Sequence, residues 1–277
     1  MLKKRFYSKP AVISIILLIT VFSVIRIYRP NIKLGNFAFS STLPNEAFVK
    51  NVIDGDTIEL NSGDLVRYIG IDTPEVRINI GSKWELNPED FALEAKSFNA
   101  GLVEGKKVRL EYDVEKRDKY KRLLAYVFKD NIFVNAELLR QGYAALYTFP
   151  PNVKYTEEFV KFQEEARKNS RGFWKNKITG EISPEEAKKF INEVATVKGR
   201  VLSTFKTEKN IFLNFGRDYK TDFTIVIFER SFKEFYSAEI DPETYYKDKL
   251  VSITGKIKEY NGPEIIANHP YEIKIIK

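Results

Sequence analysis

From Ala47 onward the apolar positions alternate with polar ones, and the alternation is short-ranged. FVKNVIDGDTIEL predicts two short strands around a turn. DLVRYIGID predicts a third, with Leu65, Arg67 and Ile69 on one face and Val66 and Tyr68 on the other. RINIGSKWELNPED reads as a long loop ending at Asn87-Pro88, a helix start. Helical spacing then takes over in residues 88–102, through Phe91, Ala95, Phe98 and Leu102. KKVRLEYD and KRLLAYVF predict two more strands, separated by the polar VEKRDKY. A short helix over Asn135 to Gln141 is stopped by Gly142. Thr156 is placed to cap a helix carrying Phe159, Phe162 and Ala166 and ending near Gly172.

Three stretches break this pattern. Residues 1–9 carry Lys3, Lys4, Arg5 and Lys9, and the uncharged run Ala11 to Ile25 follows. A basic head before an apolar run is an export signal or a membrane anchor. Arg26 to Arg29 fill the place of a small-residue cleavage site. Residues 1–30 are therefore expected to be an uncleaved anchor, with a cleaved signal as the alternative. Either puts the rest of the chain outside the cytoplasm of a bacterial-type cell. Residues 31–45 read as a tether. A linker follows over residues 176–194, in which Ser183-Pro184-Glu185-Glu186 forms a capping box, so residues 184–193 should be a short helix. Over residues 195–277 about five short strands return, with a helical stretch near 231–246, suggesting a small closed barrel. The fold class expected is mainly β with helices, α+β.

Charge and composition narrow the chemistry. The net charge is +7, which favours a polyanionic partner, nucleic acid or an anionic membrane surface. The chain has no cysteine and one histidine, His269. Thiol nucleophiles, disulfides and zinc fingers are excluded. Catalysis would have to run on carboxylates, Arg, Lys and Tyr, and a metal would be a hard one held by oxygen. By itself Asp54-Gly55-Asp56-Thr57 is a common hairpin turn. It gains weight beside IDTPE (residues 71–75), which follows the strand carrying Arg67, and DKYKR (118–122), which opens another strand.

VIDGDTIEL, VRYIGIDTPE and DKYKRLLAYVF, in that order and spacing, together with VNAELLRQGYA and the closing RGFW, resemble the thermonuclease family of staphylococcal-nuclease-like domains. The resemblance runs from about residue 46 to Trp174, within a nuclease domain spanning 46–175. It implies a five-stranded OB-type barrel with three helices and calcium-dependent hydrolysis of phosphodiesters, DNA and, as an open alternative, RNA, with little sequence specificity and 3′-phosphate products. Carried over by position, Asp56 and Asp72 would bind Ca²⁺ through their carboxylates and Thr73 through its carbonyl. Arg67 and Arg122 would grip the scissile phosphate, and Glu75 would activate water. Tyr120 would pack against the nucleotide, Tyr147 and Phe149 would flank the base, Lys119 is a candidate phosphate contact, and Asp54 would support the turn. Two departures stand out: Lys121 occupies a place where the family often has glycine, and Phe149 one where it has a second tyrosine.

GRVLSTFKTEKNIFLNFG and SITGKIKEYNGPEIIANHPYEIKII resemble an OB-fold nucleic-acid-binding domain. It would hold single-stranded substrate near the active barrel. Its candidates are Phe205, Phe212, Phe215, Tyr219 and Phe223, interleaved with Lys206, Lys209, Arg217 and Lys220; the competing reading is that alternating strand aromatics are core. His269 is expected to be structural. The partners expected are nucleic acid and, through the N-terminal segment, the membrane; no protein partner is inferred. The rival function is a non-catalytic nucleic-acid-binding scaffold of the same fold. A third reading is an exported surface protein whose charge binds anionic lipid or wall polymer.

Overall fold

The computed structural model describes residues 43–80, 83–175 and 180–276, without the side chains of 77–85. The apolar run Ala11 to Ile25 lies outside the described residues. Among the described residues no helix is long and apolar enough to cross a membrane.

The first half is a closed five-stranded barrel with helices packed on it. Strands β1 (Glu46–Val52), β2 (Thr57–Leu60) and β3 (Leu65–Tyr68) form a meander. After β4 (Gly70–Asp72), a hairpin of β5 (Arg77–Ile80) and β6 (Lys83–Leu86), and helix α1 (Ala92–Val103), the chain returns as β7 (Lys107–Glu111) and β8 (Leu123–Lys129). β7 pairs with β1 and β8, and β8 closes the barrel by pairing in parallel with β3, Arg67 opposite Leu124. Closure removes the open edges, and alternation supplies the lining. Val49, Val52, Ile58, Leu60, Val66, Val108, Leu110, Leu123, Ala125 and Val127 are all buried.

The expected loop over 77–86 contains the β5–β6 hairpin. Its R-I-N-I and K-W-E-L alternate, but each run is too short to stand out from loop sequence. Helix α1 starts at Ala92, four residues after Pro88, because Phe91 takes a left-handed backbone angle (φ 67°) that breaks the incoming turn. Its buried stripe is Ala92, Ala95, Asn99 and Val103, rotated from the all-apolar one expected. Its polar member is held by one end: Tyr68, fully inside, donates its hydroxyl to Asn99 Oδ1 at 3.0 Å, while the Asn99 Nδ2 is buried without a hydrogen-bond partner among the described residues. A short strand β9 (Ile132–Phe133) leads into α2 (Val134–Arg140), β10 (Ala145–Tyr147) and α3 (Thr156–Lys168). Thr156 is buried as the first residue of α3 and makes no cap bond; Tyr155 precedes it.

The second half starts at β11 (Glu181–Ile182). The capping box forms as expected, with the Ser183 N–H donating to Glu186 at 3.0 Å, but the helix it opens (Pro184–Phe190) is 3₁₀. Strands β12 (Val194–Arg200), β13 (Ser203–Lys206), β14 (Asn210–Asn214) and β15 (Thr224–Phe228) come next, then helices α4 (Glu229–Ser237) and α5 (Pro242–Tyr245). The chain ends with β16 (Leu250–Lys256), β17 (Lys258–Glu259), β18 (Pro263–Ile266), a 3₁₀ turn at Pro270–Glu272 and β19 (Ile273–Ile275). The hydrogen bonds arrange these strands in two sheets, β11-β12-β16-β19 and β13-β14-β15-β18-β17, rather than the single closed barrel that the strand spacing suggests. The runs β12–β13 and β16–β17 pass from one sheet to the other and make its corners. Val197, Ile211, Leu213, Ile225, Val251, Ile253 and Ile265 fill the space between. The two halves meet where Ala166, Phe173 and Trp174 pack with Phe91, Ala145 and Val194.

Candidate active site

The turn between β1 and β2 is built by its own acids. The Asp56 N–H donates to Asp54 Oδ1 at 3.2 Å, and the Ile53 and Thr57 backbones close the hairpin at 2.9 Å. Gly55 is required by proximity: a Cβ there would come within 2.7 Å of three side-chain atoms of Thr73. The two motifs, seventeen positions apart, are therefore pressed directly together. Asp56 is buried; one oxygen accepts the Thr73 N–H at 3.0 Å and the other the Thr57 hydroxyl at 3.1 Å.

Arg67 stands opposite Thr57 across the β2–β3 ladder, which aims it at the same turn. Its guanidinium ion-pairs with Asp56, and its second amino group reaches Asp72 Oδ1 at 2.7 Å. Gly70 makes the bend that turns the chain from β3 into β4: its φ is +82°, and a Cβ would strike the Phe159 ring at 2.5 Å. Beyond it β10 pairs antiparallel with β4, setting Ala145 opposite Asp72 and Tyr147 opposite Gly70.

Glu75 lies just past Thr73, its backbone N–H donating to Glu89 Oε2 at 2.9 Å while Glu89 N–H returns to the Glu75 carbonyl at 2.9 Å. Burial, then the charges of Asp54 and Asp72, push the Glu75 carboxyl above the usual range. Burial also pushes Asp54 up, against the pull of the Arg67 and Arg122 guanidinium groups. Arg122 immediately precedes β8, whose Leu123 and Leu124 stand opposite Val66 and Arg67, so the β3–β8 ladder brings it to the same end of the barrel. Its aim is set by Asp118, which accepts from Arg122 Nε at 2.7 Å and from the backbone of Tyr120 and Arg122 at 2.9 and 3.0 Å. Lys121 takes the left-handed angle (φ 70°) a glycine would hold without strain, so the tight turn is kept despite the substitution.

Asp54, Asp56, Arg67, Asp72, Thr73 and Glu75 thus form one connected group, with Arg122 beside it. Tyr120 is exposed on the loop of Arg122, with the Lys119 ammonium 4.9 Å from its ring. Neither Lys119 nor Tyr120 touches the acids among the described residues. Tyr147 and Phe149 are partly exposed and nearly parallel, 6.4 Å apart at 24°. In the second half, Phe215 and Phe223 are buried against each other at 5.2 Å, so core packing accounts for both; Phe205 and Tyr219 are exposed. His269 caps the last 3₁₀ turn, accepting the Tyr271 N–H at 3.3 Å. Sequence reasoning passed over Asp118 and Glu89, which orient the site, and Arg230, whose guanidinium lies 4.6 Å from the Phe149 ring centroid. Only Asp118 left a trace in sequence, as an acid four residues before the arginine it holds.

The donor set fits a hard divalent cation. Asp54, Asp56, Asp72 and Glu75 are all carboxyls, Arg67 is the one cation ion-paired to them among the described residues, and Arg122 is engaged by Asp118. Among the described residues no three acids or histidines converge into a ready cage. Carboxylate oxygens with no thiolate or imidazole among them suit a hard ion with a loose oxygen shell rather than a soft one.

Residues 65–176 match the model of the staphylococcal nuclease homologue family, a span that takes in Arg67, Asp72, Thr73, Glu75, Arg122, Tyr147 and Phe149; Asp54 and Asp56 precede it. The chain is 35% identical over 164 residues to a thermonuclease of Staphylococcus intermedius, covering 57% of this chain and 95% of that protein. It is 36% identical over 131 residues to a thermonuclease of Staphylococcus hyicus, covering 46% and 75%. With endonuclease YncB of Bacillus subtilis the identity is 38% over 127 residues, 44% of this chain and 58% of that protein. A closed barrel carrying acids and arginines at these positions, and a thermonuclease matched over nearly its whole length, have one meaning: this chain belongs to the staphylococcal nuclease homologue family.

Proposed function

We propose that this chain is a Ca²⁺-dependent nuclease that hydrolyses phosphodiesters of DNA, with RNA as the open alternative, at low sequence specificity. The observation that carries the reading is Arg67 bridging Asp56 and Asp72 while Asp56 holds the Thr73 backbone. Asp56 and Asp72, with the Thr73 carbonyl, would hold the ion, which when bound supplies charge neutralisation at the phosphate. Arg67 and Arg122 offer planar forks to the phosphate's equatorial oxygens, gaining most as charge builds there. Arg122 is already oriented by Asp118 through its Nε, which leaves both amino groups for the phosphate with little reorganisation; Arg67 reaches the phosphate as Asp56 and Asp72 pass to the ion. Glu75, its carboxyl raised by burial, is the proton acceptor for the attacking water. Tyr147 and Phe149 present ring faces to a base, Tyr120 packs on the nucleotide, and Lys119 adds charge near a phosphate.

An assay of DNA and RNA cleavage with Ca²⁺ and with chelator tests this. Cutting should require the ion, and Glu75→Ala should lose roughly 10²–10⁴ in rate while still binding polynucleotide. Full activity in chelator, or in Glu75→Ala, overturns the assignment. The basic head and the run Ala11 to Ile25 support a place for the catalytic part outside the cytoplasm, at the membrane. Protease accessibility on intact cells checks that.

A further inference from the structure

Between the candidate active site and the second half runs a cleft of about 1070 Å³, lined on one side by Asp72, Thr73 and Tyr147 and on the other by Arg230, Lys256 and Lys258. That is the upper end of the roughly 300–1,000 Å³ typical of small-ligand pockets. It is not a separate cavity, because Asp72, a member of the acidic group, forms part of its wall. Arg230 is exposed and lies between two rings, 4.6 Å from Phe149 and 5.0 Å from Phe228. Lys256 ends β16, Lys258 begins β17, and both are exposed. Arg230, Lys256 and Lys258 form no ion pair among the described residues; Asn268 Oδ1 lies 3.5 Å from Arg230, and Glu264 stands opposite Lys258 across the β17–β18 ladder. One residue past β17, Tyr260 is exposed over 81% of its surface, the largest such aromatic exposure described.

We infer that this cleft is a second subsite for single-stranded nucleic acid, in which Arg230, Lys256 and Lys258 hold phosphates of the strand running away from the scissile bond and Tyr260 stacks a base. The inference rests on the nuclease reading above and extends it to the second half of the chain. Continuity selects the occupant: a strand whose base lies on Tyr147 and Phe149 meets Arg230 next. Charge selects its register. Six acids, Asp72, Glu89, Asp90, Glu193, Glu259 and Glu272, also line the cleft, so a polyanion is held only where it runs along Arg230, Lys256 and Lys258 and is turned away from the rest of the wall. The alternation of aromatic and cationic side chains is the chemistry that binds single strands without reading sequence. This placement differs from the one expected from sequence. Phe205 and Lys206 lie on β13, at the opposite edge of the five-stranded sheet from β17.

Binding of a long oligothymidylate is measured on the full chain in the Glu75→Gln background with Ca²⁺, and cleavage of long and dinucleotide substrates in the parental background. Arg230→Ala/Lys256→Ala/Lys258→Ala should weaken long-strand binding by on the order of 10-fold or more. It should also reduce the slope of log affinity against log salt by about 2, since each phosphate contact on a single strand contributes about 0.7. The preference in kcat/KM for long over dinucleotide substrate should collapse toward one. Lys256→Ala/Lys258→Ala, which leaves the Arg230–Phe149 contact in place, should show a proportionate part of the loss in slope. Unchanged slope and affinity in both variants overturn the subsite. So does a loss of length preference on Phe205→Ala/Lys206→Ala but not on the cleft variants. A parental chain that cuts nothing overturns the nuclease reading instead, and the binding measurement still decides the cleft.

Discussion

At position 121 a lysine holds a backbone angle that glycine adopts freely, φ 70°. Left-handed geometry costs an L-residue about 1–2 kcal/mol, offset in part by the lower flexibility of lysine in the unfolded chain. Lys121→Gly should therefore leave stability equal or raise it by up to about 1 kcal/mol, with Arg122 still on Asp118; a melting curve that falls by several degrees would show that the Lys121 side chain contributes something else. Glu272 gives a pH prediction. Burial pushes its carboxyl up to about 7 from 4.5, although the Asn268 N–H donates to it at 2.8 Å. The folded chain thus holds this proton more tightly than the unfolded one. Below pH 4.5 both states are protonated and no penalty exists; as pH rises toward 7 the unfolded carboxyl ionises first, stability is lost, and above 7 the loss is complete. Glu272→Gln should melt several degrees higher than the parent at pH 8 and show no such gain below 4.5.

Single elements matter here mainly for what they bring close. β2 and β3 set Thr57 opposite Arg67, and the bend at Gly70 hands the chain to β4, so Asp72 arrives beside Arg67. The β1–β2 turn then docks on Thr73 through the bare face of Gly55. Gly55→Ala places a methyl 2.7 Å from the Thr73 side chain, well inside contact distance, so turn and strand must part. Overpacking of this kind costs about 1–3 kcal/mol. Activity should fall more steeply than stability, because the Thr73 carbonyl and Asp56 move apart, and the calcium concentration needed for half-maximal rate should rise. Near-parental calcium dependence in this variant would mean that the turn and Thr73 act independently.

Over the whole molecule, the two halves are joined by packing around Trp174, by Arg230 beside Phe149 and by Lys274 with Glu164 at 3.4 Å. A cation bound only to the folded form stabilises all of it together, by about 2.7 kcal/mol at a hundredfold excess over Kd. Calcium should therefore raise the melting temperature of the full chain without substrate. Asp72→Asn should abolish that rise, a readout independent of turnover. An equal shift in parent and variant would place the ion elsewhere.

Much of the barrel half could be read directly from local pattern. Strict alternation in β7, the apolar run of β8, the Gly142 stop and the acid-rich turns are short-range properties, as are the candidate acids and arginines themselves. The hairpin at 77–86, the rotated stripe of α1 and the two-sheet form of the second half could not be read this way. Each depends on which partner a segment finds: Asn99 is tolerated inside only because Tyr68 donates to it, and Phe215 and Phe223 are core only because their sheets close on them. What the sequence determined by itself was the order of elements and the chemical types available, since alternation and turn residues act over a few positions. Only the tertiary structure decided that Arg67 bridges Asp56 and Asp72, that Asp118 aims Arg122, and that Arg230 comes to the edge of the site. Those contacts span segments distant along the chain, and their geometry is set by barrel closure and the packing of the second half, which no local pattern encodes.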